Sequence, residues 1–176
     1  GTETLSLVKG KAANYGWVHA KGYIKAPLAD VYLAMRNPAV CVDRKQANRW
    51  SLVEGYSDPD YEYALRVRAS NSFCFGICIT ADWENTWRFG PYPWKSQQDP
   101  VTVVAARWKK TWGTTYVNLM EGSVLAKAQL DGTTYVEIME HLDANELRGS
   151  NQDNAEGTTR LYFDSLVAQV HGQPLP

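Results

Sequence analysis

The amino-acid sequence predicts an α+β fold, a curved antiparallel sheet of about six to seven strands wrapped around one long C-terminal helix. Three observations lead there. Strand patterns and helix patterns are segregated along the chain: one strand, a short helical stretch, a long run of strands, then a helix. The segment from Asp153 to Gly172 carries Tyr162, Phe163, Leu166, Val167 and Val170 at i, i+1, i+4, i+5 and i+8, one apolar stripe of an amphipathic helix. Asp131-Gly132 between alternating segments is a hairpin signal, which makes the strands around it antiparallel. With a single long helix as cover, the sheet has to curl to bury its face.

The elements follow in order. Residues 1–16 are small and polar and read as a flexible lead-in to a domain over 17–172, with 173–176 as a tail. Trp17 to Lys25 alternate and form a first strand. Pro27 opens a short helix filled by Val31, Leu33, Ala34 and Met35, which Asn37-Pro38 ends. Ala39 to Lys45 reads as a second short helix or turn. Trp50 to Glu54 is a strand, and Tyr61, Tyr63, Leu65 and Val67 alternate with charged residues in another. Phe73 to Glu84 alternates throughout and reads as one long strand with a bend near Gly76. Gly90-Pro91-Tyr92-Pro93 breaks the pattern. Val101 to Lys109, Thr114 to Leu130 and Thr133 to Asp143 are the remaining strands, and Leu147 to Gln152 is a polar loop. In the last helix, Asp153 and Glu156 stand at capping-box spacing, and Gly172, Pro174 and Pro176 stop it.

The totals remove several classes of function. A chain of 176 residues suffices for one core with an internal pocket. A net charge of −1 provides no footprint for nucleic acid, and no apolar run is long enough to span a bilayer, so the reading is of a soluble chain. The sequence shows no signal peptide and lacks an initiating Met, which leaves localisation open, as it does oligomeric state. Seven Trp and ten Tyr suit a bulky core or an apolar pocket with polar handles. If Cys74 and Cys78 lie on one strand they are about 13 Å apart, too far to bridge, so they and Cys41 read as buried free thiols. No cofactor motif, phosphate loop or metal-spaced Cys/His set is present, and His19, His141 and His171 fall on separate elements.

The element order and four local stretches resemble the START-like superfamily, which includes the Bet v 1-like proteins and polyketide cyclases and is known for the helix-grip fold. Tyr23-Ile24-Lys25-Ala26-Pro27 with Val31 resembles its opening strand and helix start, closed by Asn37-Pro38. Trp50 is similar to the Trp that opens its second strand, and Pro91-Tyr92-Pro93 through Gln98-Asp99-Pro100-Val101 to its Pro-x-Pro…Arg-Asp-x-Val segment. The C-terminal helix matches the gripped helix. Gln98 departs from the Arg, and Val104 stands where some sterol-binding members carry a tunnel Arg. The resemblance implies an apolar cavity between sheet and helix for a lipid, sterol, polyketide or other hydrophobic molecule.

Two questions of chemistry follow. If Asp131-Gly132 is a two-residue loop, Ser123 faces Glu140 and Glu121 faces Leu142, and Glu121 and Glu140 become neighbours on one face. The two faces of this hairpin are nearly equal in apolar content, so either can look inward, and Glu140 and His141 are the weak candidates for acid–base work. Tyr63, Trp83, Val104, Trp108, Ile138, Phe163, Leu166 and Val167 are the expected ligand-lining residues. Three functions remain open: a carrier of a hydrophobic small molecule without chemistry, a cyclase- or dehydratase-like enzyme using a buried carboxylate or His, and an interaction domain with a filled core.

Overall fold

The computed structural model describes residues 3–145 and 149–176, excluding the side chains of Phe73 and Phe75. In chain order the elements are β1 (Leu5–Ala12), β2 (Tyr15–Ile24), α1 (Leu28–Met35), β3 (Arg49–Leu52), β4 (Tyr63–Phe75), β5 (Ile77–Pro91), β6 (Val103–Gly113), β7 (Val117–Ala128), β8 (Thr134–Ala144) and α2 (Asn151–Val170). Among the described residues the eight strands form one antiparallel sheet in the order β1-β2-β8-β7-β6-β5-β4-β3. Helix α2 lies on its concave face against β1, β2 and β8, with α1 beside it. Val18, Ala20, Ile24, Val136, Ile138, Phe163 and Leu166 make the core between them.

The sheet exceeds the six to seven strands expected because β1 is added, and the Gly76 turn redraws the boundary between β4 and β5 without adding a strand. The residues read as a lead-in pair fully with β2, from Leu5 opposite Gly22 to Ala12 opposite Tyr15. The long alternating run ending at Glu84 is two strands, because Gly76 adopts a left-handed conformation (φ 77°) and turns the chain back on itself. Cys74 then stands opposite Cys78 with the Cα atoms 4.0 Å apart, and the two form a disulfide. Alternation has the same period on both arms of a hairpin, so it conceals a tight turn. Cys41 is the buried free thiol.

One short helix, not two, follows the first core strand. After Asn37 the chain makes separate turns: Val40 N–H donates to Asn37 O, Cys41 N–H to Pro38 O, and Ala47 N–H to Asp43 O. The Asp43 carboxylate takes the N–H groups of Lys45 and Gln46, offering the backbone a partner that a helix would have supplied. Helix α2 starts earlier than its capping-box spacing suggested. Ser150 is the N-cap and accepts from Asp153 N–H at 3.3 Å, so Asp153 is the third helical residue rather than the cap. The stretch Leu147–Gln152, expected as a loop, lies partly outside the described residues, and Asn151 and Gln152 belong to α2.

The β7–β8 connection alters the register. Gln129 N–H donates to Thr133 O and Gly132 N–H to Gln129 O, with Gly132 left-handed (φ 82°), so the loop is one residue longer than a two-residue turn. Pairing moves by one: Gly122 faces Glu140, and Glu121 faces His141. A one-residue slip exchanges the faces of one strand relative to the other, so Glu121 and Glu140 lie on opposite sides of the sheet.

Candidate functional site

The site is assembled from one row of residues across the sheet. Trp87 pairs with Trp108, Trp108 with Gly122, Gly122 with Glu140 and Glu140 with Val18. Gly122 allows this row to close up: a Cβ there would lie 2.2 Å from the Trp108 ring and 2.4 Å from Met139 O. From the other side α2 lowers Thr159 and Tyr162 onto the same row. The rings of Trp87 and Trp108 stack at 4.5 Å between centroids, and Tyr162 lies 5.7 Å from Trp87.

Between this row and the turns after α1 the structure leaves a cavity of about 150 Å³. Val67, Ala69, Trp83, Leu142 and Val42 supply its apolar wall. It extends from Ile138 toward the surface beside Gln46, Asn145 and Asn154. Five side chains that line it hold a buried polar atom with no hydrogen-bond partner in the protein: Asn71 Oδ1, Asn85 Oδ1, Trp87 Nε1, Glu140 Oε1 and Tyr162 Oη. Buried polar atoms are ordinarily paired, so five unpaired ones on one cavity stand out against the rest of the core.

Glu140 is 1% exposed. Its Oε2 accepts from the Thr159 hydroxyl at 2.9 Å, and Oε1 has no hydrogen-bond partner in the protein. Burial pushes its carboxyl from 4.5 up to about 8, the Thr159 hydrogen bond works against that, and the Asp43 carboxylate adds to it. At neutral pH the group is a carboxylic acid, able to donate a hydrogen bond as well as accept one. Burial likewise holds the Tyr162 phenol well above its ordinary value, so it remains neutral.

The residues named from sequence divide sharply. Trp83, Trp108, Ile138 and Glu140 line the cavity. Tyr63, Val104, Phe163, Leu166 and Val167 do not: they sit at the closed end, where α1 and the C-terminal half of α2 fill the space. Phe163 is fully buried over β2, where a Cβ on Gly22 would meet its ring at 2.8 Å. Tyr63 lies tilted against Phe89 and carries the Arg36 guanidinium on its ring. His141 is on the outer face, hydrogen-bonded to Glu121 at 3.4 Å and against the Tyr15 ring. Neighbours on a strand point to opposite faces, which separates His141 from Glu140.

Sequence reasoning left out Asn71, Asn85, Trp87 and Thr159. Asn85 had a signal: with Trp83 and Trp87 it forms an inward series on β5 that a polar residue interrupts. Among the described residues no three His, Cys, Asp or Glu side chains gather as a metal site would require.

Comparison with known proteins gives likeness of fold. No protein-family model matches the sequence, and no curated protein does. Solved structures do. The human StarD13 (DLC2) lipid transfer and protein localization domain superposes with a TM-score of 0.56 at 14% identity, covering 99% of this chain and 87% of that one. The Zhui aromatase/cyclase from Streptomyces sp. R1128 gives 0.52 at 12% identity, over 96% and 93%. TTHA0849 from Thermus thermophilus gives 0.52 at 14% identity, over 88% and 93%. With a sheet curled around its C-terminal helix, the chain has a helix-grip fold like that of these structures.

Proposed function

We propose that the protein binds a small, mainly apolar molecule carrying at least one hydrogen-bonding group, seated in the cavity between the sheet and the first half of α2. The observation that carries this reading is that five side chains lining one mainly apolar cavity each hold an unpartnered polar atom. Apolar walls with a few placed polar groups are the usual composition of a small-molecule site. A lipid, sterol or polyketide-like molecule meets that description. About 150 Å³ accommodates a ring-sized group, comparable to engineered cavities that hold benzene, so a longer ligand displaces the turns at residues 38–47 or extends out of the mouth.

The test is native mass spectrometry of the purified protein, then titration with the released compound while following Trp fluorescence. A co-purified adduct whose binding is lost in Trp108→Ala and Tyr162→Phe supports the reading. A bare protein that takes up no lipid, sterol or aromatic polyketide from a mixed panel refutes it, leaving the interaction-domain alternative.

One observation favours a second reading, an enzyme of the cyclase or dehydratase kind. Glu140 is an acid in the cavity wall with an unpartnered oxygen and a carboxyl that titrates near neutrality, the condition for polarising a ketone or enol. Glu140→Gln separates the readings. It abolishes turnover and spares affinity if Glu140 transfers a proton, whereas in a carrier there is no turnover to abolish.

A further inference from the structure

Strands β4 and β5 continue past every neighbour. The edge strand β3 reaches only to Arg49 opposite Ser70, and β6 ends at Gly113 opposite Trp83. Asn48 reaches a little further, accepting from Ser72 N–H, and Thr114 N–H donates to Asp82 O. Beyond these, among the described residues, the hairpin around Gly76 has no strand on either side. At about 3.3 Å per residue it projects roughly 13 Å as a two-stranded ribbon.

Its composition is unlike the rest of the surface. Residues 71–81 contain no charged side chain. Protruding strand edges are ordinarily protected by Lys, Glu or Pro, and none is present. The alternation that puts Ala81 on the cavity wall puts Ile77 and Ile79 on the same face of β5. Ile77 is 78% exposed. A two-stranded hairpin alone is marginal in water, and here the Cys74–Cys78 disulfide ties the strands one pair from the turn. The apolar tip is therefore held out in the solvent.

The surroundings identify what covers it. Arg49 and Arg68 are exposed at the root of the ribbon, as are Trp50 and Trp112, with the Arg68 guanidinium 5.1 Å from the Trp112 ring centre. Of the acids at that level Asp82 is half-buried, and Glu84 is buried and held by Arg68 at 2.9 Å. An uncharged apolar tip with cations and indoles at its root matches the layers of a membrane interface. A selective protein partner needs discriminating polar or charged groups, and the ribbon offers only Asn71, Ser72 and Thr80.

We infer that the Gly76 hairpin docks the protein on an anionic lipid bilayer, with its apolar face in the interfacial layer and the cavity mouth at its root turned toward the membrane. Docking is shallow, because the unpaired backbone of both ribbon edges is not tolerated in the hydrocarbon core. The purpose of such docking, ligand exchange with the membrane, rests on the binding function proposed above; the docking itself is measured separately.

The experiment is co-sedimentation of the full chain with vesicles of phosphatidylcholine plus phosphatidylserine, and of phosphatidylcholine alone. The wild type should partition to the mixed vesicles more strongly, and added salt should weaken it. Ile77→Asp should reduce partitioning tenfold or more while leaving circular dichroism and Trp fluorescence unchanged, since residue 77 touches no core. Failure of the wild type to bind either vesicle, or equal binding by Ile77→Asp, overturns the inference. So does a concentration-dependent dimer in sedimentation velocity that Ile77→Asp abolishes without any vesicle binding, which assigns the ribbon to a second copy. Uptake of a cavity ligand by Ile77→Asp, followed by mass spectrometry, reports on the binding function independently.

Discussion

At the scale of single residues, Glu140 contains the most information. Its folded carboxyl titrates at about 8 against an ordinary 4.5. Between those values the folded state holds a proton that the unfolded chain has released, so stability falls as pH rises from about 5 to 8 and levels off above. The full difference is on the order of 5 kcal/mol. Glu140→Gln should remove that slope: urea unfolding at pH 5 and pH 8 should differ much less for the variant than for the wild type. An equal pH slope in both proteins would show that Glu140 is not held neutral by burial. Nothing in the residue types around Glu140 announced this. Alternation separates it from His141, but which of the two faces inward is seen only where β8 meets β2 and α2, with Glu140 opposite Val18 and under Thr159.

At the scale of elements, the closeness of the strand row depends on the lack of a side chain at Gly122. Gly122→Ala places a methyl 2.2 Å from the Trp108 ring and 2.4 Å from the Met139 carbonyl, so the ring has to tilt and the backbone to shift. Overpacking of this kind costs about 1–3 kcal/mol, and it should also shift the Trp emission by tilting Trp108. Unchanged stability and emission would mean that the Trp87–Trp108–Tyr162 stack adapts freely. The same scale shows where pattern reading succeeds and fails. The stop of α2 and the amphipathic stripe from Tyr162 to Val170 were legible because a helix declares itself over several turns. The hairpin at Gly76 and the strand β1 were not. A tight turn preserves alternation, and β1 is a half-buried edge strand whose pattern is interrupted by Lys9, Gly10 and Lys11, so its pairing with β2 makes it a strand.

At the scale of the whole molecule, the space between sheet and α2 is unevenly filled. The closed end holds Phe89, Phe163, Leu166 and Met35, all fully buried, and the open end holds the cavity. A ligand that binds only the folded state raises its stability by RT ln(1 + [L]/Kd), about 2.7 kcal/mol at a hundredfold excess over Kd. A cavity ligand should therefore raise Tm in proportion to the logarithm of its concentration, and a ligand that binds without raising Tm would be lodged elsewhere. The aromatic stripe expected to touch ligand is mostly core, because α1 and Met35 occupy the space beneath it. The cavity lies instead under the polar first half of α2, where Thr159 and Tyr162 point inward.

By itself the sequence determined the fold class, the antiparallel run of strands and the long closing helix, since each rests on local periodicity and on the separation of strands from helices along the chain. Of the site residues it suggested, Trp83, Trp108, Ile138 and Glu140 stand on the cavity wall, and Tyr63, Val104, Phe163, Leu166 and Val167 do not. Tertiary structure alone decided which face of β8 looks inward, that Cys74 meets Cys78, and that five side chains with an unpartnered polar atom line one void. These depend on turn geometry and on how two layers meet, where a single residue of register exchanges the inside of a sheet for its outside.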